Sequence, residues 1–224
     1  MDWTALGVSL RLSAATTAAL FVIGVPIAYW IAFSSRRWKF LVEAVVALPL
    51  VLPPTVLGFY VLMSIGPLSP VGRAWQSATG RGLAFTFEGL LVASILYSLP
   101  FAVQPFSAAF ASVDRRLLDA SATLGAAPFA TFRRVVLPLS ARGLVTGMVL
   151  SFAHTLGEFG VVLMVGGNLP GVTRTVSISI YDSVQALDYG AASRTSLLLL
   201  GVSFAILAVT YSLQRTVWAV WPMR

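Results

Sequence analysis

The chain has 224 residues, 58% of them hydrophobic and only 10% charged, against about 25% charged in an ordinary water-soluble domain. A soluble fold of this length cannot keep that much apolar surface from water, so the sequence reads as an integral membrane protein. The net charge of +7 does not point to nucleic acid, because the 15 Lys and Arg fall in short clusters between apolar runs and form no dense basic face with interleaved aromatics. Cysteine is absent, which excludes disulfide frameworks and thiolate metal sites.

A helix needs about 20 apolar residues to cross a bilayer, and five runs are long enough. The segment Met1–Leu12 is too short to span; it extends the first helix or lies in the interface, where Trp3 and Arg11 suit it. The first predicted span covers about 13–33. It is not a cleavable signal peptide, because Asp2 precedes it, no basic stretch stands before Trp3, and no small-x-small site ends it.

The second span, about 44–65, contains Pro49, Pro53 and Pro54. Prolines at mid-bilayer free backbone carbonyls, which are tolerated against protein or a water-filled cavity. Pro53, Pro54 and the adjacent Thr55 are therefore candidates either for a kink lining a translocation path or for a packing kink. The connector Gly66–Glu88, rich in Gly, Pro and Ser, reads as turn-laden. The third span covers about 89–113.

The loop at about 112–142 is long for a small membrane protein. Leu117–Leu124 forms a good short helix, and Gly125 can supply the left-handed turn that ends it. A second amphipathic stretch then runs through Pro128 and Phe129 and is expected to halt at Pro138. Small residues at Ala120, Ser121, Ala122, Gly125, Ala126 and Ala127 let another surface approach the backbone closely.

The fourth span, about 143–165, holds His154 and Glu158, the only ionisable residues inside any predicted span. Four apart on one helix, they are expected to share a face and pair by a hydrogen bond, tying this span to a neighbour near a gate. They are too few for a metal site. Glu158 would lie about 22 Å along its helix, hydrogen-bonded or protonated, since an exposed carboxylate there would repel an anion.

In the next loop, Val176, Ile180, Val184 and Leu187 recur at helical spacing, which predicts a short helix dipping into the membrane face or lying on the surface. The fifth span covers about 195–214. Loops on one side carry ten Lys and Arg (Arg36, Arg37, Lys39, Arg115, Arg116, Arg133, Arg134, Arg142, Arg215 and Arg224), and the other side carries five. Positive charge marks the cytoplasm, so the amino terminus is expected outside and the carboxyl terminus inside.

No phosphate-binding G-x-x-x-x-G-K-[ST] loop and no G-x-S-x-G or H-E-x-x-H constellation occurs. The chain is therefore expected to have no catalytic residue. The long loop instead spells Asp119-Ala120-Ser121, then Gly125, Val135 and Leu137-Pro138. These are the gaps of the Glu-Ala-Ala, three residues, Gly, nine residues, Ile, one residue, Leu-Pro pattern in the permeases of type I ABC importers. The chain resembles that family, and within it the molybdate and sulfate group, which the texts LPLVLPPTVLG (Leu48–Gly58), TLGEFG (Thr155–Gly160) and GNLPGVTRT (Gly167–Thr175) also resemble. The similarity runs from about Leu10 to Trp218.

The resemblance implies an all-α, five-span permease working by alternating access in a bacterial or archaeal cytoplasmic membrane. It implies a homodimer whose loops each dock on one of two ABC ATPase subunits through Asp119, Ala120, Ser121, Gly125, Ala126, Pro128, Leu137 and Pro138. ATP and Mg would sit on those subunits. An extracytoplasmic molybdate-binding protein would deliver the anion, with tungstate, sulfate or thiosulfate as other substrates. No Lys or Arg lies in the predicted spans, so selectivity is expected to reside in the binding protein. A self-sufficient secondary transporter or channel is the competing class; it would need its own ion site and often an inverted repeat, and five spans do not halve.

Overall fold

The computed structural model describes residues 2–215, so Arg224 and the last residues of the resemblance lie outside it. The described residues fold as α1 (Trp3–Phe33), α2 (Lys39–Val51), α3 (Pro54–Ile65), α4 (Pro70–Thr79), α5 (Phe87–Ala111), α6 (Arg115–Thr123), α7 (Pro128–Thr131), α8 (Leu137–Gly157), α9 (Gly160–Gly166), α10 (Val176–Gln185) and α11 (Tyr189–Arg215). A π turn, Phe132–Val136, joins α7 to α8 without a break.

The residues before Ser13 extend the first helix. Asp2 caps it by accepting from the Ala5 N–H at 2.9 Å, and α1 then runs 31 residues, about 46 Å. The expected second span is two helices bent by 113°. Pro53 and Pro54 explain the bend: neither can donate to the preceding turn, so α2 closes at Leu52 and Pro54 opens α3 at its first position. The fourth span is also broken, with α8 ending at Gly157, Glu158 extended, and α9 starting at Gly160.

Packing shows how the chain crosses. Val42 and Val46 of α2 pack with Phe110 and Val113, at the end of the bundle that carries the basic loops. Val61 and Ile65 of α3 pack with Ala93, Val161 and Val165, at the other end. The bent α2–α3 pair therefore traverses the bundle rather than returning to its starting side. α1, α5, α7–α8 and α11 are each long and apolar enough to cross a membrane, and the bent α2–α3 pair makes up to five spans if it counts as one.

The core is the α1–α5–α8 triplet. Phe106 of α5 is fully buried between two glycines: a Cβ on Gly24 would stand 3.3 Å from its ring, and one on Gly147 would stand 2.6 Å from it. Small residues at helix contacts let backbones close up where lipid offers no hydrophobic drive for helices to associate. Toward the basic end Tyr29, Phe110 and Phe132 stack edge-to-face, at centroid distances of 5.9 Å (Tyr29–Phe110) and 5.1 Å (Tyr29–Phe132).

Two connectors hold more helix than their composition suggests. Within Gly66–Glu88, α4 starts at the Ser69 cap, which accepts from the Gly72 N–H at 2.8 Å, and ends at left-handed Gly80. Helix α10 forms where the spacing predicts, but it buries Val176, Ile178 and Ser179. Of the predicted stripe, Val184 and Leu187 are exposed, and Leu187 lies beyond the helix with φ 59°. The apolar repeat thus starts buried at Val176 and comes to the surface by Val184.

Candidate docking element and translocation path

The loop at 112–142 projects from the basic end. Asp114 caps α6 by accepting from the Arg116 N–H at 2.9 Å. The helix ends in a Schellman motif, with the Ala126 N–H donating to the Ser121 carbonyl at 3.1 Å and the Gly125 N–H to the Ala122 carbonyl at 2.9 Å. This places Gly125 at φ +74°, where a Cβ would meet no atom within 4 Å. Conformation, not space, therefore calls for glycine there. A 2.7 Å bond between the Ser121 and Thr131 hydroxyls ties α6 to α7.

No residue of α6 is buried. Asp119 and Ala120 are exposed, as are Gly125 and Pro128, while Ser121 and Ala126 are half-buried. Leu124 and Phe129, 87% and 72% exposed, stand among these small residues as apolar studs. Exposed apolar side chains of this size mark a candidate interaction surface.

Leu137 and Pro138 are not a stop. The helix passes through them, because the π turn ends at Val136 with the Leu137 N–H bonded to the Phe132 carbonyl. A proline ring would strike the carbonyl four residues back in a regular helix. A π turn widens the backbone at that place.

His154 and Glu158 do not pair, which corrects the expectation from their spacing. The break at Glu158 takes its side chain off the α8 face. Glu158, 4% exposed, accepts from the Ser94 hydroxyl at 2.9 Å. His154 shares a 3.0 Å hydrogen bond through Nδ1 with Ser98 and stacks on Phe101 at 3.8 Å. Both residues tie the fourth span to α5, each through its own serine. Among the described residues no three His, Cys, Asp or Glu gather as a metal cluster.

The two broken spans meet. A Cβ on Gly160 would stand 2.8 Å from Pro54, and one on Gly58 would stand 2.8 Å from Met164. So α3 and α9 leave their breaks side by side and run the same way. Pro53, Pro54 and Thr55 form the start of α3, with Thr55 exposed at the second helical position, where the N–H has no partner within the helix.

One further cluster was illegible in the sequence. Arg174 reaches Asp182 at 2.7 Å and Asp2 at 3.6 Å, and Asn168 donates to the same Asp182 oxygen at 2.7 Å. This knot fastens the start of α1 to α10 and to the loop before it, across more than 160 residues of sequence.

A membrane bundle with an exposed, apolar-studded loop and two facing broken spans fits an importer-type permease. Residues 24–218 match the family of binding-protein-dependent transport system inner membrane components, and the chain belongs to that family. It is 49% identical over 214 residues, covering 96% of this chain and 95% of its relative, to the molybdenum transport system permease protein ModB of Azotobacter vinelandii. It is 32% identical to the protein of that name in Escherichia coli K12, covering 94% of this chain and 92% of that one. Among solved structures it is similar to a bacterial alginate importer (TM-score 0.76, 19% identity, 95% of this chain and 78% of that one). It is also similar to the MetNI methionine transporter (TM-score 0.75, 17% identity, 99% and 97%). The chain is a translocation component, not an enzyme.

Proposed function

We propose that the chain is the permease subunit of an ATP-driven molybdate importer. The observation that carries this is the docking loop, with its Schellman-capped, wholly unburied α6 in a chain 49% identical to a molybdenum permease along nearly its full length. The basic end faces the cytoplasm, following the charge of its loops, and the amino terminus lies outside. The protein sits in the cytoplasmic membrane of a bacterium or archaeon.

Two copies surround the path on a twofold axis. Each presents Asp119–Pro128 to one of two ATPase subunits, which bind ATP and Mg. Closure of the ATPase pair draws the loops together and opens the path toward a docked molybdate-binding protein; hydrolysis returns it inward. In the path, the start of α3 offers the Thr55 N–H and hydroxyl to a passing oxyanion at the positive end of the helix dipole.

The test is reconstitution with the ATPase and binding protein in vesicles, following ATP-dependent uptake of labelled molybdate with sulfate as competitor. Uptake that needs ATP and resists a large sulfate excess is the expected result. Uptake without an ATPase would refute the reading, and equal inhibition by sulfate would shift the substrate to that anion.

A further inference from the structure

Four buried oxygen atoms near one level of the bundle lack a hydrogen-bond partner: Ser13 Oγ, Thr16 Oγ1, Thr17 Oγ1 and Glu158 Oε1. Their common level follows from the packing. Leu12, Leu90 and Val162 form one apolar layer across α1, α5 and α9. One turn inward on each element stand Thr16, Ser94 and Glu158. The next turn brings Ser98 and Thr155, bonded to each other at 2.9 Å. Below that, Phe106 meets Gly24 and Gly147. Ser13 and Thr17 flank Thr16 on α1, and Ser13 and Thr16 are 0% exposed.

The electrostatics at this level are unbalanced. Glu158 follows the last residue of α8, at the negative end of a 21-residue helix, where a cation is favoured, and only the seven-residue α9 begins beside it to offset that field. Among the described residues it has no ion pair. Arg11 of α1 is engaged over the Phe87 ring at 4.7 Å, and Glu88 of α5 is held by Arg81. Asp2 and Asp182 of α10 are held by Arg174. Tyr97 of α5 and His154 of α8 are the other titratable groups in the neighbourhood, and α9 carries none. An isolated buried charge is too costly to persist.

We propose that Glu158, with Ser94 and the hydroxyls of Ser13 and Thr16, binds one sodium ion at the break after α8. Carboxylate and hydroxyl oxygens are hard donors suited to such an ion. One carboxylate among neutral hydroxyls balances a single positive charge, and a divalent ion would leave a net charge in the bundle interior. The site does not depend on which anion the permease carries.

The test is thermal melting of the purified full-length protein in detergent, in sodium chloride against choline chloride at equal ionic strength, at pH 6 and pH 8.5. His154→Asn is run in parallel to remove the histidine's own titration. At pH 8.5 the protein should melt several degrees higher in sodium, and the difference should vanish at pH 6, where the proton competes. Dependence on pH alone, with no response to sodium, is titration of the carboxyl without an ion site and would overturn the proposal. Glu158→Gln should abolish the sodium dependence, and Ser94→Ala should raise the sodium concentration giving half the effect. A wild-type protein indifferent to sodium, or a Glu158→Gln variant that keeps the full wild-type response, would likewise overturn it.

Discussion

Gly125 concentrates the docking loop's geometry in one dihedral angle. At φ +74° an alanine costs about 1–2 kcal/mol, while asparagine tolerates the left-handed region better. Gly125→Ala should leave membrane insertion intact and lower ATP-coupled uptake several-fold, with Gly125→Asn intermediate. Gly125→Asp, which also adds a charge to the docking face, should abolish uptake; full coupling in that variant, read as ATPase activity against uptake, would contradict the role given to the loop. This residue was legible from sequence because a glycine following a short helix has few other uses. Glu158 was not. Its spacing from His154 matched a continuous helix, and the only hint of the break was glycine on either side, at Gly157 and Gly160, a weak signal beside proline.

At the scale of elements, the two bends differ in what announced them. The Pro53–Pro54 pair predicted a kink within one span, not two helices bent by 113°. The π turn at Phe132–Val136 left no mark except Pro138, whose expected effect, stopping the helix, was the opposite of what occurs. Pro138→Ala removes the reason for the π turn. If the segment relaxes to a regular helix, everything before it rotates by about 100°, and α6 is re-aimed. The expected result is near-normal melting of the purified permease with a large loss of ATPase binding in pull-down. At the start of α3, Thr55→Val keeps shape and removes the hydroxyl. Uptake of molybdate should fall without loss of assembled complex, and unchanged uptake would remove Thr55 from the path.

At the scale of the whole molecule, the long apolar helices were readable from hydropathy, and the α1–α5–α8 triplet was not. Helices of nearly uniform apolarity do not reveal which face meets a neighbour, and the deciding features are small residues such as Gly24 and Gly147, invisible to a hydropathy scan. Phe106→Ala should cost about 3–5 kcal/mol. Gly147→Leu, whose side chain would start 2.6 Å from the Phe106 ring, should yield a protein that inserts but does not hold its fold, seen as loss of a cooperative melting transition in detergent. Gly7→Leu is the matched control: no atom lies within 4 Å of a Cβ there, so melting should barely change.

The adjacent breaks at Pro53–Pro54 and Glu158–Phe159 give the protein a built-in clock. Deep in a bilayer, amides locked in helices exchange their hydrogens slowly, while those at a helix start have no partner within the helix. Thr55 and Gly160 should therefore take up deuterium far ahead of their neighbours whenever water reaches their level, and fall silent whenever it does not. The rate at these two amides, followed through a transport cycle, would time the opening of the path without any label attached to the protein.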